Sequence, residues 1–262
     1  TPCGTLFPYT TLFRSVRDLA LAHNSLKAHV LYGILKDEQR RGRYDAARDL
    51  FMTYVQLPRR VPYIDRDYIR RREFRNREAD LNADFSDATR MAPIGSDDAL
   101  VRDYLSHYFV DAKDFKAFVK YIKNDYLQDI FVETKIVNGV GDMEQWYSFM
   151  DPNQYRRLKE RVDLAFAHTN PRFFTREEPV SLDLSVKNVE TLIVKIFELN
   201  TFNYFTDQKQ EVDTAINLDG LSATWERTET YDAPPLRRVR RHFEFPEIEA
   251  PGVYVVEFIG NG

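Results

Sequence analysis

VSLDLSVKNVETLIVKIFEL, residues 180–199, decides the fold class of this chain. Val180, Leu182, Leu184 and Val186 alternate with polar or small residues, the period-two pattern of a half-buried β-strand. Lys187-Asn188 supplies a turn, and Leu192 to Leu199 predicts the next strand. On the N-terminal side, Val162, Leu164 and Phe166 repeat the alternation. On the C-terminal side, strands are expected at Val212 to Leu218, Ser222 to Tyr231, Val239 to Phe245 and Val253 to Ile259. Turn formers separate them: Asn170-Pro171, Asp219-Gly220, Pro234-Pro235 and Pro251-Gly252. Short strands at this spacing predict an antiparallel sandwich. Asn261-Gly262 is itself a hairpin-turn pair, so a further strand is expected beyond it and the sandwich is expected to be truncated at its C-terminal end.

Before residue 160 the period is helical. Val16 to Arg41 has few breakers and spaces Leu19, Leu26, Val30 and Ile34 on one face. Gly42 allows a turn, and Tyr44 to Gln56 predicts a second, antiparallel helix that Pro58 stops. Gly42, Tyr44, Ala47 and Phe51 have the spacing of one tetratricopeptide unit, and no second copy follows. A helix is expected from Asp97 or Asp98, with Leu100, Val101, Tyr104, Leu105 and Tyr108 on one side. Another, capped by Asp111 or Asp114, aligns Phe115, Phe118, Val119, Ile122, Tyr126, Ile130 and Phe131. Asp151-Pro152 opens a short helix to about Arg161. The expected class is therefore α+β, with a helical region over 16–160 and a sandwich over 161–262.

The chain is 43% hydrophobic, 30% charged and 14% aromatic, which suits a packed core rather than a disordered chain. Its net charge of −4 gives no overall pull toward nucleic acid or an anionic membrane. No apolar run approaches the roughly 18 residues of a membrane span. Residues Thr5 to Ser15, TLFPYTTLFRS, resemble a translated sequencing adapter, so 1–15 are read as an artefactual leader and the native N-terminus as missing. The one cysteine, Cys3, falls in that leader, leaving no disulfide, thiolate metal site or cysteine nucleophile in the remainder.

The stretches FAHTNPRFFTREEPVSLDLSVKNVETLIVKIFELN (166–200), INLDGL (216–221) and RRHFEFPEIEAPGVYVVEFIGNG (240–262) resemble a macroglobulin-type β-sandwich domain of alpha-2-macroglobulin-like bacterial proteins. Phe173-Phe174 stands for an aromatic turn, and Gly252-Val253-Tyr254-Val255-Val256 for a late strand that crosses the sandwich. The Tyr-x-Pro-Gly turn and the Cys-Gly-Glu-Gln thioester motif are absent. The resemblance implies a structural module of a large extracytoplasmic protein, in the periplasm or cell envelope, with protease binding or envelope defence as its role.

Charge and aromatic clusters supply the candidate surfaces. Arg66, Arg70, Arg71, Arg72, Arg75 and Arg77 are interleaved with Tyr68 and Phe74, a pattern that can hold phosphates and stack bases. Asp65, Asp67, Glu73, Glu78 and Asp80 lie among them, and an ion-paired surface is the preferred reading. In the run Arg237-Arg238-Val239-Arg240-Arg241, alternation aims Arg238 and Arg240 at one face and Arg237 and Arg241 at the other. This run and the Phe173-Phe174 turn are the expected docking faces. No histidine pair has metal-ligand spacing, and HExxH, G-x-S-x-G and the phosphate loop are absent, so neither a cofactor nor a metal is expected. The expected function is a non-catalytic interaction segment whose partner is a protein, a protease among the candidates, or a neighbouring domain. One alternative is a hydrolase fragment whose site unites His168, Asp183 and a helical residue with sequence outside the chain. The other is nucleic-acid binding through Arg66–Arg77.

Overall fold

The computed structural model describes residues 24–71, 77–208, 216, 218 and 221–261. The adapter-like leader 1–15 and the expected helical positions 16–23 lie outside them. The chain is α+β: helices come first and antiparallel sheets follow. It divides into two compact units, 1–150 and 151–262.

In the first unit, α1 (Asn24–Arg40) and α2 (Arg48–Val55) form a hairpin that turns through Gly42, whose φ of 67° is a conformation glycine adopts without strain. Ala28, Leu31 and Leu35 of α1 share one buried cluster with Ala47, Phe51, Tyr54 and Val55. After the short helices α3 (Arg66–Ile69) and α4 (Ser86–Thr89), α5 (Asp98–Phe109) adds Leu100, Val101, Tyr104, Leu105, Tyr108 and Phe109 to the cluster. The Phe51 and Tyr104 rings stack with centroids 5.0 Å apart. Burying tyrosines requires partners for their hydroxyls. Tyr104 donates to the Leu35 carbonyl at 2.8 Å, Tyr108 to that of Tyr44 at 2.8 Å, and Tyr68 to that of Gln56 at 2.6 Å.

The long apolar stripe from Phe115 to Phe131 is two pieces rather than one helix. Residues 116–121 form turns, and α6 (Asn124–Asn138) begins only after Ile122. At Ile122 the backbone is extended and bridges Ile64, with the Lys123 N–H bonded to the Tyr63 carbonyl and the Asp65 N–H to the Tyr121 carbonyl. Long-range pairing of these backbone groups wins over local helical periodicity. The helix α7 (Met143–Ser148) closes the unit. Trp146 packs edge-on against Phe131 at 5.7 Å and donates its indole N–H to the Val140 carbonyl.

The second unit opens with α8 (Pro152–Glu160), held by a reciprocal capping box between Asp151 and Gln154 and by proline in its first turn. Six strands follow: β1 (Asp163–Phe166), β2 (Ser181–Lys187), β3 (Thr191–Leu199), β4 (Trp225–Thr230), β5 (Arg238–Glu244) and β6 (Val253–Gly260). They form two three-stranded antiparallel sheets in the orders β1-β2-β5 and β4-β3-β6. Leu184, Val186, Leu192, Val194, Ile196, Phe243 and Phe245 fill the space between the sheets. Phe258 of β6 meets Phe166, Phe243 and Phe245 edge-on.

Between β3 and β4 lies α9 (Thr201–Gln208), which the strand pattern does not announce. Of the strand expected at Val212 to Leu218, only 216 and 218 are described, and neither is in a strand. At the C-terminal end Asn261 has φ 56°. Its side-chain oxygen accepts the Glu190 N–H at 2.9 Å and its amide donates to the Asn188 carbonyl at 2.9 Å, tying the end of β6 to the β2–β3 turn.

Candidate interaction surfaces

The arginine run lies along β5, where the pleat sorts it by face. Arg238, Arg240, His242 and Glu244 point outward; Val239, Arg241 and Phe243 point toward the other sheet. Arg237 sits just before the strand, half-buried, with its N–H on the Pro234 carbonyl.

The outward arginines are neutralised on the sheet surface. Arg238 reaches Asp163 at 3.0 Å, and Arg161 clasps the same carboxylate at 2.7 Å and 3.0 Å. Arg240 reaches Asp183 at 2.6 Å, and His242 Nδ1 lies 2.9 Å from the other oxygen of that carboxylate. Hydrogen bonds from Arg240 and then His242 hold the Asp183 carboxyl below the usual carboxylate range. Burial pushes the Asp163 carboxyl up, but the bonds from Arg161 and Arg238 outweigh it and hold that group low as well. This face is therefore a ladder of paired charges, not a field of free cations.

The Phe173-Phe174 turn belongs to the exposed loop 167–180 that joins β1 to β2. Past the end of β1, Asn170 takes over the pairing of β2. Its amide donates to the Asp183 carbonyl at 2.9 Å, and its oxygen accepts the Asp183 N–H at 2.8 Å. The Ala167 N–H bonds the same carbonyl at 3.0 Å. Glu178 accepts the Thr175 N–H at 2.9 Å and braces the far side of the loop. On this support Phe173 is 88% exposed between Arg172 and Arg176, while Phe174 is half-buried. A braced loop that presents a solvated phenyl ring would lose little conformational entropy on meeting a partner.

The Arg66–Arg77 cluster is placed on and beyond α3, which Asp65 caps through the Tyr68 N–H. Arg70 is 4.0 Å from Asp67, and Arg71 lies over the Tyr68 ring at 4.9 Å. Arg72 and Arg75, with Phe74, fall outside the described residues. Tyr68, which the cluster would need as a stacking platform, is buried in the helical core. Asp183, assigned to the hydrolase alternative, is committed to Arg240 and His242. Among the described residues no group of histidines, cysteines and carboxylates is arranged to hold a metal ion, and no helix is long and apolar enough to cross a membrane.

Sequence reasoning missed a buried polar centre in the helical unit. Arg59 is fully buried; its Nε lies 3.1 Å from Asp97, its Nη1 donates to the Tyr54 carbonyl and its guanidinium covers the Tyr54 ring at 4.1 Å. Tyr54 donates to Asp97 at 2.7 Å. No sequence signal separates Arg59 from its neighbour Arg60, whose side chain is exposed and pairs with Glu78 at 2.7 Å.

Comparison with known proteins matches both parts of the chain. A family model described as the actin-binding protein F N-terminal domain matches residues 9–162, and one described as the AbpF first immunoglobulin-like domain matches residues 192–262. Actin-binding protein F of Dictyostelium discoideum is 30% identical over 258 residues, covering 97% of this chain and 11% of the relative. The chain thus spans about a tenth of that relative's length. No solved structure matches.

These matches correct the macroglobulin reading. The residues that carried it are general features of antiparallel sandwiches: Gly252, for example, leaves room for the Tyr254 ring, which would lie 3.2 Å from a Cβ placed there. With it fall the protease-binding and envelope-defence role, the extracytoplasmic placement and the bacterial attribution. The same matches lend no support to the hydrolase and nucleic-acid alternatives.

Proposed function

The chain belongs to the actin-binding protein F family, and from that membership we propose that it is a non-catalytic segment that binds actin within a longer cytoskeletal protein of the cytoplasm. The observation that carries the proposal is the similarity to Actin-binding protein F along 97% of the chain, across both the helical unit and the strands. The work of such a segment is surface recognition, and no bond is made or broken.

The contact proposed is the Phe173-Phe174 turn, supported by the exposure of Phe173 and by the Asn170 clamp beneath it. Arg237, Arg238, Arg240 and Arg241 have the weaker claim as a docking surface for actin, because Arg238 and Arg240 already hold carboxylates of their own sheet. Arg70 and Arg71 form a separate exposed patch on the helical unit, and Arg72 of that patch lies outside the described residues.

The test is co-sedimentation of the 262-residue chain with actin filaments. The chain is expected in the pellet, saturably, and the Phe173→Ser variant is expected to pellet less. A chain that stays in the supernatant at every filament concentration would overturn the proposal.

A further inference from the structure

Arg241 stands apart from the other arginines of the sheets. Arg238 and Arg240 meet carboxylates on the outer face, and Arg227 of β4 lies 3.2 Å from Glu229. Arg241 is half-buried on the inner face, and among the described residues no carboxylate lies within ion-pair distance of it. Its guanidinium rests on the Tyr231 ring, 4.3 Å from the centroid, and its Nε is buried without an acceptor. The buried Nε–H is an unsatisfied donor beside a cleft, and an anion that reaches it would supply the missing acceptor.

The surroundings give that anion a shape. Arg241 lines a cleft of about 480 Å³ with Arg227, Glu229, Tyr231, Phe243 and Glu244. The cleft lies where the two sheets end: among the described residues β4 pairs only with β3, and β5 only with β2. Among the described residues no strand is paired with one edge of β5, which offers a template for a further strand.

We propose that this cleft receives an extended segment of a partner protein, laid along the free edge of β5 with one carboxylate on Arg241. Charge complementarity selects the carboxylate, because the planar guanidinium binds it through two parallel hydrogen bonds. Glu229 and Glu244 on the walls act against a polyacidic or phosphate-rich ligand. The pleat supplies the rest of the pattern. Side chains of an added strand that face the cleft lie beside Val239, Arg241 and Phe243, the inward residues of β5. The recognised sequence is thus apolar, any, acidic, any, apolar. This inference stands on the sheet geometry and does not depend on actin binding.

The probe is a fluorescent peptide, Thr-Val-Thr-Glu-Thr-Val-Thr, titrated into the 262-residue chain beside a control peptide with Lys in place of Glu. The Glu peptide is expected to bind about tenfold or more tightly than the control, and to slow amide exchange along residues 238–244. The Arg241→Gln variant is expected to remove that preference. Equal binding of the two peptides, or slowed exchange that avoids β5, would overturn the proposal. The two-peptide comparison needs only the unaltered chain, so it decides even if Arg241→Gln fails to fold.

Discussion

Arg59 and Arg60 are adjacent and chemically identical, yet one is fully buried and the other is a surface group. What separates them is Asp97, far along the chain, whose carboxylate is itself buried and accepts from Tyr54. Nothing local in the sequence announces that pairing, which is why the buried centre could not be read from it. Removing one partner leaves the other charge uncompensated, so Asp97→Ala is expected to cost about 3–5 kcal/mol in urea unfolding. Pairing it with Arg59→Met should recover part of that loss, a coupling that a double-variant cycle measures.

His29 makes a second claim at this scale. Thr89 donates its hydroxyl to the Phe85 carbonyl, so it accepts from the Nε2–H of His29, and Nδ1 is left buried without a partner. Burial lowers the His29 pKa below 6.5, and the Asp84 charge opposes this only in part. The unfolded chain therefore takes up the proton first as pH falls. The contribution of neutral His29 is fully present above pH 6.5 and is lost as pH drops from 6.5 toward the lower folded value. Urea midpoints at neutral and mildly acidic pH should differ more for the unaltered chain than for His29→Gln. An equal pH dependence of the two would sink this account.

At the scale of elements, period-two alternation is a sound guide. It locates β2, β3, β5 and β6 closely, because each buries one face between the sheets. The same alternation separates Arg238 and Arg240 from Arg241, and the pleat of β5 bears that division out. Helical periodicity fails where distant contacts override it. The apolar stripe through Phe118 and Ile122 is helix-like in spacing, but the bridge from Ile122 to Ile64 holds it open.

The loop 167–180 is legible as a turn, while the Asn170 clamp that orders it is not, since a side chain there substitutes for a strand's backbone. Losing both of its hydrogen bonds in Asn170→Ala is expected to cost about 1–2 kcal/mol and to speed proteolytic cutting within the loop. Phe173→Ala removes a solvated ring and should leave stability within about 0.5 kcal/mol of the original. Thermal melts of the two variants, with limited proteolysis, separate these outcomes.

For the whole molecule, composition and periodicity reach the α+β class and the passage from helices to strands, but not the family. A sandwich imposes alternation, turn residues and aromatic packing on any sequence that folds into it, so those features cannot distinguish an immunoglobulin-like domain from a macroglobulin-like one. The similarity that does distinguish them is the match to an immunoglobulin-like domain model over residues 192–262, beside the N-terminal-domain match over 9–162. The interaction segment proposed would make its contact through the Phe173-Phe174 turn, beside a sheet face on which Arg238 and Arg240 are paired with Asp163 and Asp183. Amide exchange of the 262-residue chain, with and without actin filaments, tests it most directly. The account predicts slowed exchange in the turn at 167–180 when filaments are present; unchanged exchange throughout the chain would contradict it.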